Sequence, residues 1–229
     1  MEVEDFLNGK VLIIDKPLNW TSFQVVNKIR WAIRRKFNLK KIKVGHAGTL
    51  DPLASGLLII CTGKMTKRIN EYQAENKEYT GTITLGATTP SFDLETEIDQ
   101  SFPIEHITKE LILNAAESFK GLIQQKPPIY SAIKKDGIRL YELARKGEQT
   151  EINSREVSIL DFEITKIELP SVHFKILCSK GTYIRSIAND FGKKLESGGH
   201  LSSLRRTKSG TFDLSTAISP EAFIDKLNS

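Results

Sequence analysis

Every second residue from Val172 to Cys178 is apolar (Val172, Phe174, Ile176, Cys178), and this alternation constrains the fold more than any other feature of the chain. A period of two belongs to a strand with one face on a core and the other in water. Tyr79 to Leu85 repeats the pattern, with Tyr79, Ile83 and Leu85 on one face and Thr80, Thr82 and Thr84 on the other. Parallel sheets covered on both sides need continuous apolar strands, so these segments point to antiparallel pairing. Asp136-Gly137, following Tyr130-Ser131-Ala132-Ile133, adds a hairpin signal.

The remaining segments interleave helices with strands. Val11 to Asp15 reads as a short strand broken at Lys16-Pro17, and Leu57 to Cys61 as a buried strand ended by Gly63. Thr21 or Ser22 caps a helix carrying Val25, Val26, Ile29 and Ile33 at helical spacing. Further helices are expected from about 104 to 119, up to Lys146 with Gly147 behind it, from about Tyr183, and after Ser219-Pro220. Strands are expected over Val157–Asp161 and Phe162–Ile167. The expected fold class is α+β: a mixed, mostly antiparallel central sheet with flanking helices. No repeat, low-complexity segment or linker is visible, so a single domain over 1–229 is expected.

The composition narrows the function classes. The two cysteines, Cys61 and Cys178, lie far apart in apolar runs and read as buried free thiols. The four histidines (His46, His106, His173, His200) lack metal-ligand spacing and there is no CxxC, so no metal is expected. No Gly-Lys-Ser/Thr phosphate loop occurs. An acidic start, Met1-Glu2-Val3-Glu4-Asp5, does not fit a signal or transit peptide, and no apolar run reaches the roughly 20 residues of a membrane span. A cytoplasmic protein without a membrane partner is expected. The net charge of +5 suits a polyanionic partner. Six cations fall in the ten residues from Arg34 to Lys43, and Arg205-Arg206-Thr207-Lys208 forms a second cluster.

The first basic run leads into Gly45-His46-Ala47-Gly48-Thr49-Leu50-Asp51-Pro52-Leu53-Ala54-Ser55-Gly56-Leu57-Leu58. One carboxylate, Asp51, stands on a glycine-rich turn directly ahead of an apolar strand. Pro52 disfavours helical geometry at Asp51, which holds the carboxylate on a turn or extended segment. Reactive groups are disproportionately placed on loops anchored by a buried strand.

This stretch resembles, at nearly every position, the motif of the TruB family of tRNA pseudouridine synthases, and five further blocks in order resemble the same family. They are Lys16-Pro17-Leu18-Asn19-Trp20-Thr21-Ser22, the segment opening at Lys77-Glu78-Tyr79, Pro127 to Lys134, Cys178 to Ile187, and His200 to Arg206. Asn19 departs from the family's usual glycine, and asparagine tolerates the positive φ of such a turn. The resemblance implies the pseudouridine synthase catalytic fold and isomerisation of uridine to pseudouridine at position 55 of the tRNA T-loop, with base flipping. It assigns Asp51 as the catalytic residue, Arg185 as its ionic partner and Tyr79 as the residue stacking on the uracil. Leu204 packs by the base, Tyr130 and Tyr183 fall in blocks expected to bind substrate, and His46 fills the stack that the flipped base vacates. Arg205 and Arg206 are assigned to the RNA backbone; Lys16 is open between a phosphate contact and support of the site. No cofactor is expected, because the reaction is redox-neutral and moves no phosphoryl group. A monomer is expected, and the 23 residues after Arg206 leave no room for a separate C-terminal RNA-binding domain.

The chemistry needs a carboxylate near C1′, as nucleophile or as electrostatic partner of a cationic sugar. A retaining glycosidase uses two carboxylates about 5 Å apart. Only Asp51 stands in a convincing context; Asp93 and Asp99 lie in what reads as an ordinary loop. That asymmetry favours an isomerase over a hydrolase.

Overall fold

The computed structural model describes residues 1–131, 133–135, 137–147 and 150–229. The chain is α+β with a mostly antiparallel central sheet. It divides into two compact units, one of residues 1–79 and 204–229, the other of residues 80–203.

In the first unit the strand Ala54–Thr62 is the spine. It pairs antiparallel with Val11–Lys16 (Val11 opposite Cys61, Lys16 opposite Gly56) and antiparallel with Val44–Ala47. Its first residues pair in parallel with 204–206 of the strand Gly199–Ser209. Gly56 is obligatory there: φ is +104°, and a Cβ would lie 2.4 Å from the Arg206 carbonyl oxygen. The helix Ser22–Lys36 buries Val25, Val26, Ile29, Ala32 and Ile33 in a core shared with Phe6, Ile14, Leu58, Ile60, Phe223 and Leu227. Of the two candidate caps, Thr21 is the N-cap, its hydroxyl accepting from the Gln24 amide while the Gln24 side chain returns to the Thr21 amide. Lys28 and Lys36 hold the final helix Pro220–Asn228 through the Glu221 carboxylate and the Asn228 carbonyl, and Arg34 donates to the Leu39 carbonyl. Two cations of the basic run, Arg34 and Lys36, are therefore tied into the protein.

In the second unit Arg155–Glu168 pairs antiparallel with Ser171–Cys178 and with Gly121–Gln125. The two strands expected over 157–167 are one strand, interrupted by register shifts between Ile159 and Asp161 and between Ile164 and Lys166. The extra residue at the first shift moves the inward positions from Val157 and Ile159 to Phe162, which breaks the period read from sequence. Phe119, Phe162, Phe174 and Phe191 pack with ring centroids 5.6–6.2 Å apart. The helix expected from 104 begins later, as Lys109–Glu117, because Thr108 caps it through the Leu111 amide and residues 104–107 form a turn. Ile184–Lys194 is helical with Ile184, Ile187, Ala188 and Phe191 buried, as the spacing indicated. Lys134–Lys135 pairs with Ile138–Arg139 around the expected hairpin turn. Ala132 and Asp136 of that sequence reading lie outside the described residues. Both cysteines are buried, and no helix among the described residues is long and apolar enough to cross a membrane.

Candidate active site

Asp51 lies between Val44–Ala47 and Ala54–Thr62, outside helix and strand, and is half-buried. Backbone hydrogen bonds fix its loop from three directions. The Ala54 amide donates to the Asp51 carbonyl at 3.1 Å, and the Asn19 amide donates to the Pro52 carbonyl at 2.8 Å. Asn19 adopts φ +64°, the left-handed turn that its replacement of glycine required. The Ser22 hydroxyl holds both the amide and the carbonyl of Leu50.

Arg205 and Arg206 stitch the far side of this loop. The resemblance sends both to the RNA backbone, but Arg206 is only 1% exposed. Its Nε donates to the Leu57 carbonyl at 2.7 Å and its Nη2 to the Gly48 carbonyl at 3.1 Å, so the guanidinium sits inside the fold and joins the two ends of the Asp51 loop. The parallel pairing that presses Arg206 on Gly56 is long-range and invisible to local motifs. Arg205 is partly exposed and pairs with Asp15 at 2.6 Å and with Ser55. Leu204 lies opposite Ala54 in the same pairing. His46 is half-buried in Val44–Ala47, and its Nδ1 has no hydrogen-bond partner among the described residues. Burial, then the Arg206 charge, hold the imidazole below the usual histidine range, with the Gly48 backbone opposing. Tyr79 is the third residue of the strand Lys77–Leu85 and is 8% exposed.

Lys16 is fully buried, and its ammonium donates to the carbonyls of Pro17 and Trp20. Of the two roles left open by sequence, this geometry supports the structural one. Burial pushes its pKa down to about 8; the Asp51 carboxylate opposes the shift, Arg206 adds to it and Asp15 opposes it. The unfolded chain therefore keeps this proton up to about 10.5 while the folded protein releases it near 8. Between those values the unfolded state binds more protons, so raising the pH favours folding. Melting curves are expected to show wild type gaining stability over Lys16→Met across that window; parallel pH dependences would contradict the assignment.

In the second unit Arg185 is 4% exposed. Its Nη1 donates to the Ser91 carbonyl at 3.1 Å, its Nη2 donates to the Tyr130 carbonyl at 2.9 Å, and its Nε lies 3.5 Å from an Asp93 oxygen. The last contact is an ion pair rather than a hydrogen bond. Asp93 is therefore not an ordinary loop residue: it is 4% exposed and its other oxygen accepts from the Glu95 amide. Tyr183 caps Ile184–Lys194 and is gripped by Gln125, whose amide group bonds both the Tyr183 amide and its carbonyl. The Arg155 guanidinium stacks over the Tyr183 ring at 4.6 Å. Tyr130, Tyr183 and Arg185 are thus brought together within this unit, and Lys16, His46, Asp51 and Arg206 within the first. Sequence reasoning missed Asp93, Gln125 and the Ser22 contact; the hydroxyl-rich run Thr88 to Ser91 ahead of Asp93 was the available signal for a tightly bonded loop. No cluster of three or more potential metal ligands occurs among the described residues.

Two family models together match residues 34–228. The N-terminal domain of the TruB family pseudouridylate synthases matches residues 34–184, and the C-terminal domain of tRNA pseudouridylate synthase B matches 185–228. A tRNA pseudouridine synthase B of Flavobacterium johnsoniae is 60% identical over 99% of this chain and 100% of its own length. One of Phocaeicola vulgatus is 55% identical over 98% of this chain and 95% of its own. A chain in the crystal structure of a Cbf5-Nop10-Gar1 complex superposes with TM-score 0.73 at 30% identity, covering 98% of this chain. The chain spans 56% of the length of that solved neighbour. A loop-borne aspartate on a mostly antiparallel α+β sheet, with these matches, places the chain among the pseudouridylate synthases. Within that class it belongs to the TruB family.

Proposed function

We propose that this protein isomerises uridine to pseudouridine at position 55 in the T-loop of tRNA, with Asp51 as the essential catalytic residue. The observation that carries the reading is the Asp51 loop itself, held by Ser22, Asn19 and Ala54 through backbone groups on either side of the carboxylate. A reacting carboxylate must meet C1′ in a defined geometry, and a loop bonded on both sides supplies it. Asp51 acts at C1′, as nucleophile or as partner of a cationic sugar, while the C1′–N1 bond breaks and a C1′–C5 bond forms, C5 giving up its proton and N1 taking one up.

The family resemblance gives Arg185 the part of orienting the aspartate, and Tyr79 and Leu204 the part of holding the base. Tyr130 and Tyr183, fixed by Arg185 and Gln125, belong to the substrate-binding set. His46, its pKa lowered by burial and its Nδ1 without a hydrogen-bond partner among the described residues, suits stacking in the gap of the flipped base, which offsets part of a flipping cost of about a few kcal/mol. Arg205 is the surface arginine available to RNA phosphates, and Arg206 holds the loop. The chain works as one catalytic domain, as a cytoplasmic monomer without a cofactor.

The test is product analysis on a T-arm minihelix and on unrelated structured RNAs. Pseudouridine confined to the T-arm is expected. Free uracil would identify a nucleoside hydrolase, and tight binding without product would identify an RNA-binding protein.

A further inference from the structure

Ser22 and Thr21 are adjacent hydroxyl residues with different work. Thr21, which is exposed, caps the helix through Gln24. Ser22 is the first residue of that helix, is 2% exposed, and turns its hydroxyl away from the helix. Its Oγ accepts from the Leu50 amide at 2.8 Å and donates to the Leu50 carbonyl at 3.0 Å. One side chain thus satisfies both backbone groups of the residue that precedes Asp51. Leu50 is itself 3% exposed, so neither group has water as a substitute partner.

We infer that Ser22 is a positioning residue for the reaction: it references the backbone at Asp51 to the helix Ser22–Lys36. The helix is a suitable reference because Val25, Val26, Ile29 and Ile33 are at most 2% exposed in the core. Asn19, three residues earlier, holds the Pro52 carbonyl, so the segment 19–22 brackets Asp51 on both flanks. A loop held at one flank pivots about it, whereas a loop held at both flanks fixes the direction of the Cα–Cβ bond. A displacement of about 1 Å at a reacting group costs on the order of 100-fold in rate.

The inference rests on Asp51 being the reacting carboxylate, and the experiment separates the two. Ser22→Ala is compared with Thr21→Ala, which weakens the same helix but touches nothing in the loop, and with Asp51→Asn. Ser22→Ala is expected to lower kcat by about 10- to 100-fold with the Kd for tRNA within about twofold of wild type. Thr21→Ala is expected to lower the melting temperature while kcat stays within about twofold. Equal kcat losses in the two would reduce Ser22 to a stability role and overturn the inference. Turnover retained in Asp51→Asn would instead overturn the assignment of Asp51. Hydrogen exchange of the Leu50 amide in wild type reads the clamp without any variant. Protection like that of the helix interior supports it, and exchange as fast as in exposed loops overturns it.

Discussion

Asp51→Asn is expected to bind tRNA with an affinity within a few-fold of wild type while its turnover falls on the order of a thousandfold or more. Asparagine keeps the shape of aspartate and removes its charge. The hydrogen bonds from Ser22, Asn19 and Ala54 go to backbone groups of Leu50, Asp51 and Pro52, and these survive the substitution. The substitution therefore removes the charge while leaving these backbone contacts in place. Single-turnover kinetics beside equilibrium binding measure the two effects separately. Turnover equal to wild type would remove Asp51 from the mechanism, and a parallel loss of binding would make it a recognition residue.

Asp93→Ala is expected to destabilise the protein by about 3 kcal/mol, because it takes a counter-charge from a guanidinium that is 4% exposed. The buried setting decides the size of the effect; an exposed ion pair is worth about 1 kcal/mol or less. Arg185 links the Ser91 carbonyl to the Tyr130 carbonyl, so a change in its setting reaches both segments, and turnover is expected to fall as well. Asp93→Asn keeps an acceptor for the Glu95 amide and loses only the charge, so its cost is expected to lie between wild type and Asp93→Ala. Denaturant midpoints check the series. A loss under about 1 kcal/mol for Asp93→Ala would show that the pair contributes no more than a surface contact.

The parts of this protein that were legible in the sequence are those written in local patterns. The alternation of Val172 to Cys178 and the capped helices at Thr21 and Ser219 appear as expected. Asn19 at φ +64° follows from local backbone chemistry. What stayed hidden depends on contacts between distant segments. Arg206 reads as a member of a basic surface cluster until the parallel pairing with 54–56 is known, which buries it against Leu57 and Gly48. Asp93 reads as a loop aspartate until the helix bearing Arg185 is placed beside it. Lys77, read as the start of a segment resembling the family, donates to the carbonyls of Tyr72, Gln73 and Glu75 and so closes the end of the helix Ile69–Ala74. Burial separates Arg206, which holds the loop from inside the fold, from Arg205, which is partly exposed.

The most direct test of the central claim is position-resolved nucleoside analysis of an unmodified tRNA transcript incubated with wild-type protein and with Asp51→Asn, no cofactor being added. Pseudouridine at position 55 is expected with wild type and none with Asp51→Asn. Pseudouridine at another position, or its formation by the Asp51→Asn protein, would contradict it.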